Sequence, residues 1–168
     1  MAEPLFNLVL LNPEIPNNTG NIGRTAMATG CRLHIVHPIG FDMSEKARRR
    51  AGLDYWHLVD CVEHESWEAF LSATQPGHLW LYTTKSVLPH WEARFQRGDY
   101  LLFGRETNGA PETIHQWVAD RYGVDHRITL PMVADPAARS LNLATAVCAA
   151  VYEGMRQLLM ASTGSRQK

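Results

Sequence analysis

Six short apolar segments, separated by longer segments with helical spacing, are the feature of this 168-residue chain that most restricts its fold. The segments are rich in Leu, Val and Ile. Most of them lack the polar and apolar alternation that is typical of strands with one exposed face. We therefore predict strands that are buried on both faces, as in a mostly parallel sheet with helices on both sides. The predicted strands are LFNLVLL, RLHIVH, WHLVDCV, LWLYTT, YLLFG and RITLP.

Helices are predicted between these strands and after the last one. The intervening segments are TGNIGRTAMAT, SEKARRRA, SWEAFLSAT and PETIHQWVADRY. Each begins at Ser, Thr or Pro, and Gly123 follows the last of them as a typical C-cap. A final helix is predicted from about Ser140 to Met160, with one stripe that requires a surface to pack on. The stripe consists of Leu141, Thr145, Cys148, Tyr152, Met155 and Leu159.

The pattern indicates a single α/β domain over residues 1–160, and residues 161–168 (ASTGSRQK) are expected to form a frayed tail. An apolar content of 45% is sufficient for the core of one domain. No apolar run approaches the roughly 18 residues of a membrane span, and no signal-peptide pattern is present. The chain is therefore expected to be soluble and not exported.

Cysteine usage and charge restrict the compartment and the partners. The three cysteines are far apart and form no CxxC motif, so we expect neither a disulfide framework nor a metal site. A reducing cytoplasm fits best. The net charge of −1 provides no overall attraction to nucleic acid, so an RNA partner would require a local basic patch. The run KARRR at residues 46–50 supplies such a patch.

Unusual residues follow three of the predicted strands, at the sheet edge where parallel α/β proteins bind ligands. The first loop lies within NPEIPNNTGNIGRTAMATG, residues 12–30. Its Gly20 and Gly23 would allow a partner to approach the backbone closely. The start of the following helix offers unpaired N–H groups to an anion.

The other two loops also lead into helices. FGRETNGAPE, residues 103–112, forms a tight turn before a helix that starts with proline. LPMVADPAARSLNLATAV, residues 130–147, delivers Arg139, Ser140 and Asn142 to the start of the last helix. The three loops are therefore candidates for a ligand site.

Each loop also has a plainer interpretation. Gly and Asn after a strand commonly form an ordinary turn, Ser140 can be a simple helix cap, and a basic run is often a solvated helix face. A nicotinamide or flavin site is a further alternative, because TGNIGR opens the first helix. The dinucleotide fingerprint requires an acidic residue at the end of the next strand, where this chain has His37 and Pro38. His34 and His37 point to opposite faces of a strand and cannot form a simple ligand pair.

In this order, NNTGNIGRTA, LLFGRETNGAP and LPM…RSLNLATAV resemble the three signature motifs of the SPOUT (SpoU-type) RNA ribose methyltransferases. The resemblance covers nearly the whole chain, including PEIPNNTGNIGR, RLHIVHP, RRAGLDY, TTK, GDYLLFG and VYE. It implies an α/β fold whose C-terminal segment passes through a loop to form a deep trefoil knot, an exception to unknotted topology. It also implies a homodimer in which the first and last helices pack together.

The resemblance implies that the chain binds S-adenosyl-L-methionine in the knot crevice and methylates a ribose 2'-hydroxyl without a metal. The most similar members act on the wobble cytidine or uridine of tRNA. By motif, cofactor binding is assigned to Tyr82, Gly104, Leu130, Ser140 and Leu141. Catalytic roles are assigned to Arg24, Asn142, Ser140, Glu106 and Tyr152.

Arg24 is the essential arginine of this pattern. Because a guanidinium remains protonated in proteins, we expect it to orient the hydroxyl and a phosphate rather than to accept a proton. RNA binding is expected at Arg48, Arg49 and Arg50, which a homodimer would present twice. The expected target is an anticodon loop with splayed bases.

Some residues depart from the family pattern. Ala144 and Thr145 replace a Ser-Asn pair, PAA lengthens the loop before Arg139, and Asn108 stands where relatives can carry Arg. These differences affect the predicted substrate and rate more than cofactor binding. Two alternatives therefore stay open: a ribose methyltransferase for another tRNA or rRNA site, and a non-catalytic knotted RNA-binding module.

Overall fold

The computed structural model describes residues 3–50, 53–135 and 137–164, apart from the side chains of residues 45, 49, 50 and 162–164. Six strands form one sheet. They are β1 (Asn7–Leu11), β2 (Arg32–Val36), β3 (Cys61–His64), β4 (Leu79–Tyr82), β5 (Tyr100–Phe103) and β6 (Arg127–Ile128). All neighbours pair in parallel, in the order β3-β2-β1-β5-β4-β6. The predicted α/β class with a parallel sheet is confirmed.

Five α-helices lie in the described part of the chain. They are α1 (Pro16–Thr29), α2 (Glu45–Arg50), α3 (Trp67–Thr74), α4 (Glu112–Tyr122) and α5 (Leu143–Gly164). The signals for two helix ends are confirmed. The Ser66 hydroxyl accepts a hydrogen bond from the Ala69 N–H at the start of α3, and Gly123 caps α4 with a φ of +102°. Over these described residues, no helix combines the length and apolarity that crossing a membrane requires.

Helices cover both faces of the sheet, and this explains the lack of polar alternation in the strands. All five residues of β1 are buried. Because side chains alternate along a strand, Leu8 and Leu10 pack with α1 and α5, whereas Val9 and Leu11 pack with α3 and α4. The sheet is therefore the middle layer of three.

The third strand differs from its prediction. WHLVDCV was expected to be a strand over residues 56–62, but Asp54–Leu58 forms a 3₁₀ helix and β3 covers Cys61–His64. Trp56 is only 5% exposed because it packs against α1 instead of lying in the sheet. An apolar run alone does not show whether its side chains pack as part of a strand in the sheet or against a neighbouring helix.

The last helix differs from its prediction at both ends. It begins at Leu143 instead of Ser140, because the Asn142 side chain accepts the first free N–H groups of the helix. It continues past Met160 to Gly164, so the described part of the expected tail is helical. Residues 165–168 lie outside the described residues.

The buried face of α5 is also not the predicted stripe. Val147, Ala150 and Val151 are fully buried, whereas Tyr152 and Leu159 of the predicted stripe are 54% and 63% exposed. The helix carries apolar residues on two faces, and periodicity does not reveal which face packs on the sheet. The exposed apolar face remains available to a partner.

A chain of buried polar side chains crosses β1, β2 and β3 under α3. The Asn7 side-chain amide donates to the Gly98 carbonyl at 2.7 Å, which leaves its oxygen to accept from His34 Nε2 at 3.2 Å. His34 Nδ1 therefore accepts from His64 Nε2 at 2.9 Å. Burial, followed by the neighbouring His64 ring, lowers the pKa of His34 to about 4. The network thus requires His34 to be neutral.

Acid is expected to destabilise the protein through His34. The unfolded chain takes up a proton near pH 6.5, whereas folded His34 resists protonation until about pH 4. At pH 4.5 this difference lowers the free energy of unfolding by about 2.5 kcal/mol relative to pH 7.5. Urea denaturation of wild type and His34→Gln at both pH values measures the difference. Equal pH dependence in the two proteins would contradict the assignment.

Candidate active site

A cleft of about 460 Å³ lies at the carboxyl edge of the sheet. It is bounded by the loops after β1, β4, β5 and β6 and by the start of α5, and its volume suits a small organic molecule. Seven of the site residues expected from the sequence line it: Tyr82, Gly104, Glu106, Leu130, Ser140, Leu141 and Asn142. The three unusual loops therefore meet at one site.

Glu106 joins the loop after β5 to the start of α1. Its carboxylate accepts hydrogen bonds from the backbone N–H of Glu14 at 2.9 Å and of Ile15 at 3.2 Å. It also accepts from the Asn18 side chain at 3.2 Å. The N–H groups of Glu14 and Ile15 precede α1, which begins at Pro16, so Glu106 places a carboxylate of the same chain beside the helix start. That the first turn of α1 offers N–H groups to a ligand anion stays a prediction.

Asn18 extends this network to the third loop. Its side-chain oxygen accepts from Asn142 Nδ2 at 2.9 Å, and Asn142 Oδ1 accepts from the N–H groups of Ala144 and Thr145. Asn142 is therefore the N-cap of α5, the role that the plainer interpretation gave to Ser140. Asn18 is only 5% exposed and lines the cleft.

Sequence reasoning did not select Asn18. It lies within the quoted motif PEIPNNTGNIGR, but its neighbour Asn17 is the same residue type and is exposed. A sequence pattern does not distinguish the two. The position of Asn18 between Glu106 and Asn142 becomes evident only when all three loops are assembled.

Replacement of Asn18 with Ala is expected to reduce the rate of the ribose methylation that the sequence resemblance implies by about 10- to 100-fold. The buried hydrogen bonds that the substitution removes are worth about 1–3 kcal/mol together. The Asn142 amide would lose its fixed orientation. Steady-state kinetics of Asn18→Ala and of the matched control Asn17→Ala measure the effect. If both variants retain wild-type rates, the network does not contribute to activity.

An aromatic pair forms one wall of the cleft. The Tyr82 ring stacks on Phe103 with 4.8 Å between centroids and an interplanar angle of 14°. The Tyr82 hydroxyl lies 3.3 Å from His90 Nδ1. Burial raises the pKa of Tyr82, so the phenol remains protonated at neutral pH. The wall is thus flat, apolar and neutral, which suits a planar heterocycle.

Gly104 is required by the backbone next to it. A Cβ atom at this position would overlap the backbone nitrogen of Ala110 and the carbonyl carbon of Gly109. The turn 104–110 therefore folds back tightly on itself and exposes main-chain groups to the cleft. Irregular backbone of this kind supplies the donors and acceptors that a regular helix would consume.

Three cationic side chains lie around the cleft: Lys85, Arg105 and Arg139. Lys85 Nζ is 3.3 Å from the Glu112 carboxylate, and Arg105 donates to the Asn12 side chain at 3.3 Å. All three are exposed. The rim is therefore suited to a polyanion. Within residues 3–50, 53–135 and 137–164, no group of three or more His, Cys, Asp or Glu could hold a metal ion.

Arg24 and Tyr152 do not line this cleft. Both are exposed, on α1 and α5 respectively, and these two helices pack together. The Arg24 guanidinium carbon lies 4.6 Å from the centroid of the Tyr55 ring. The geometry of one chain thus separates Arg24 from the seven cleft residues.

The two glycines of the first motif serve a different purpose from the one expected. A Cβ at Gly20 would lie 2.5 Å from Leu53 Cδ2, and a Cβ at Gly23 would lie 2.6 Å from Trp56 Cζ3. The close approach that they allow is made by residues 53–56 of the same chain and not by a ligand. Their role in this structure is packing.

The basic run lies on α2. Arg48 is half-buried, and its carbonyl accepts from the Leu53 N–H at 2.9 Å. The side chains of Arg49 and Arg50 lie outside the described residues. Whether these three arginines bind RNA therefore stays a prediction.

Comparison with known proteins defines the class to which this fold and cleft belong. The model of the SpoU rRNA Methylase family matches residues 5–152, and the chain therefore belongs to this family. A Saccharophagus degradans protein named tRNA (cytidine(34)-2'-O)-methyltransferase is 45% identical, over 92% of this chain and 96% of its own length.

Solved structures agree with the sequence comparison. One that concerns the 2-OH methylation of C/U34 on tRNA is 43% identical, with a TM-score of 0.80 over 93% of this chain and 97% of its own. The SpoU methyltransferase AviRb of Streptomyces viridochromogenes, in complex with AdoMet, is 26% identical, with a TM-score of 0.71 over 95% of this chain and 63% of its own.

Proposed function

We propose that this protein is a tRNA methyltransferase that transfers a methyl group from S-adenosyl-L-methionine to the ribose 2'-hydroxyl of the wobble cytidine or uridine, nucleotide 34. The observation that carries the proposal is the convergence of the three motif loops on one cleft, in a chain similar over nearly its full length to relatives named for this activity.

The residues of the cleft fit the cofactor. The stacked Tyr82 and Phe103 and the side chain of Leu130 provide apolar surface for the adenine. The Gly104 turn brings main-chain groups close, since a side chain there would fill the space. Leu141 and Ser140, at the approach to α5, provide a further wall. When bound, S-adenosyl-L-methionine supplies an electrophilic methyl group on a sulfonium with a neutral thioether as leaving group.

The protein must then orient a ribose hydroxyl and stabilise the negative charge that develops on its oxygen. Asn142 is held by Asn18, which in turn is held by Glu106, so the amide is preorganised beside the cleft. Arg24 is assigned the stabilisation of charge, with Tyr152 in a supporting role. The proton of the attacking hydroxyl passes to water, because the permanently charged guanidinium does not accept it.

A homodimer would bring Arg24 to a cleft. The exposed face formed by α1 and α5 carries Met27, 41% exposed, together with Arg24 and Tyr152. A second copy packed on this face would cover the apolar side chains and place the arginine of one subunit near the cleft of the other. Size-exclusion chromatography with light scattering tests the dimer.

The path of the chain around β6 supports a trefoil knot. The Thr83 N–H donates to the Ile128 carbonyl on one side of the strand. Beyond its end, the Thr129 N–H donates to Leu88, and the His90 N–H donates to Thr129. The segment after β4 thus lies beside both edges of the C-terminal segment that continues toward α5.

The tRNA would contact the cationic rim of the cleft and the α2 arginines Arg48, Arg49 and Arg50. Lys85, Arg105 and Arg139 line the proposed cofactor cleft, so they would meet phosphates next to the target nucleotide. A cytoplasmic location follows from the substrate, since tRNA is modified there.

Methyl transfer into tRNA tests the proposal. Bulk tRNA from a strain that lacks its wobble ribose methyltransferase is incubated with the purified protein and labelled S-adenosyl-L-methionine, and the modified nucleotide is mapped. We expect label on the 2'-oxygen of nucleotide 34. Label at another tRNA nucleotide, label only when rRNA replaces tRNA in the same reaction, or cofactor binding without methyl transfer to either RNA would overturn the assignment in favour of one of the two alternatives.

A further inference from the structure

Residues 53–56 (LDYW), which come soon after the basic run, do not line the cleft and pack closely on the first motif. Leu53 contacts the position of Gly20, and Trp56 contacts the position of Gly23. Between these two anchors lies Tyr55. The segment is thus placed on the same helix that carries Arg24.

Tyr55 makes two contacts with α1. Its hydroxyl donates to the Gly20 carbonyl at 2.8 Å, and its ring lies under the Arg24 guanidinium, 4.6 Å from centroid to Cζ. Gly20 is one helical turn before Arg24, so both contacts fall on one face of the helix. Half-burial of Tyr55 and burial of Trp56 restrict the motion of the ring.

The contact with the Tyr55 ring matters for the chemistry of Arg24. An aromatic ring attracts a guanidinium through the negative charge of its face, and an arginine can lie on such a face without directing its N–H groups at it. Its N–H groups all point outward in the guanidinium plane and remain able to donate to a ribose oxygen or a phosphate. The ring contact therefore orients the side chain and restricts its rotamers, and the N–H groups that point away from the ring stay able to donate.

We infer that Tyr55 is a positioning residue for Arg24: its ring holds the guanidinium in the orientation that methyl transfer requires. The inference rests on the proposed function for its effect on rate, whereas the contact itself can be tested separately. Tyr55 does not line the cofactor cleft, so its replacement should change the rate and leave cofactor binding unchanged.

The kinetic test compares Tyr55→Leu, Tyr55→Phe and the matched control Leu58→Ala, an exposed residue of the same 3₁₀ helix. Tyr55→Leu should lower kcat at least tenfold, with the KM for S-adenosyl-L-methionine within twofold of wild type. Tyr55→Phe keeps the ring and should restore kcat to within threefold, and the control should match wild type. If Tyr55→Leu misfolds by circular dichroism, Tyr55→Met replaces it. A wild-type kcat in the ring-less variant would overturn the inference.

The structural test observes Arg24 directly by NMR with ¹⁵N-labelled arginine, with the Arg24 signals assigned from their loss in Arg24→Lys. The side-chain signals of Arg24 should show an upfield ring-current shift that disappears in Tyr55→Leu and persists in Tyr55→Phe. Unchanged Arg24 signals in Tyr55→Leu would overturn the inference. If the wild-type protein methylates no tRNA, the proposed function is wrong, and this spectrum still decides whether Tyr55 holds Arg24.

Discussion

Gly104→Ala is expected to raise the Kd for S-adenosyl-L-methionine at least about 100-fold, which corresponds to about 2.7 kcal/mol. The new Cβ would overlap main-chain atoms of Gly109 and Ala110. Because backbone cannot move aside as a flexible side chain can, the whole turn 104–110 must shift, and it forms part of the cleft. Isothermal titration calorimetry measures the affinity.

Gly77→Ala is the matched control for this substitution. Nothing lies within 4 Å of a Cβ at Gly77, and its backbone does not occupy the left-handed region. It should bind the cofactor with wild-type affinity. A Kd for Gly104→Ala within threefold of wild type would show that the turn relaxes without cost and that the Gly104 backbone does not shape the site.

Arg24→Ala is expected to reduce methyl transfer to tRNA by about 10³-fold, or about 4 kcal/mol of transition-state stabilisation. The thermal midpoint should change little, since the side chain is exposed. Cofactor affinity should also be unchanged, because Arg24 does not line the cleft. Single-turnover methylation, thermal denaturation and calorimetry measure the three quantities.

Arg121→Ala serves as the control for the loss of a surface arginine. Arg121 is exposed near the carboxyl end of α4, whereas the amino end of that helix follows the cleft turn. It should retain wild-type activity. Normal methylation by Arg24→Ala would remove Arg24 from the mechanism. Gly104→Ala and Arg24→Ala therefore separate two functions: we expect cofactor binding to depend on Gly104 and the rate of methyl transfer to depend on Arg24.

Much of the site could be predicted from sequence because parallel strands place their following loops at one edge. The loops that contain Ile15, Gly104 and Leu130 follow β1, β5 and β6, and the sheet brings all three together at the cleft. The local signals at Ser66 and Gly123 were also reliable, because capping depends on residues within one turn of the helix end.

The errors have a common cause. Gly20 and Gly23 predict a close approach of a partner to the backbone, but residues more than 25 positions away, Leu53 and Trp56, fill the space beside them. The loop before α1 likewise pairs with a residue about 90 positions away, because the N–H groups of Glu14 and Ile15 donate to Glu106. At the two glycines the residue type correctly indicates a close contact, and only the predicted partner is wrong.

The sequence by itself determined the α/β class, the order of strands and helices, the three loops that form the site and the family to which they point. These properties depend on short-range patterns and on residue chemistry. Tertiary structure alone decided which face of α5 is buried, that Asn18 links Glu106 to Asn142, and that Arg24 lies on Tyr55 outside the cleft. Such contacts join residues that are distant in the chain, and they are selected by packing of the whole domain, which no local pattern encodes.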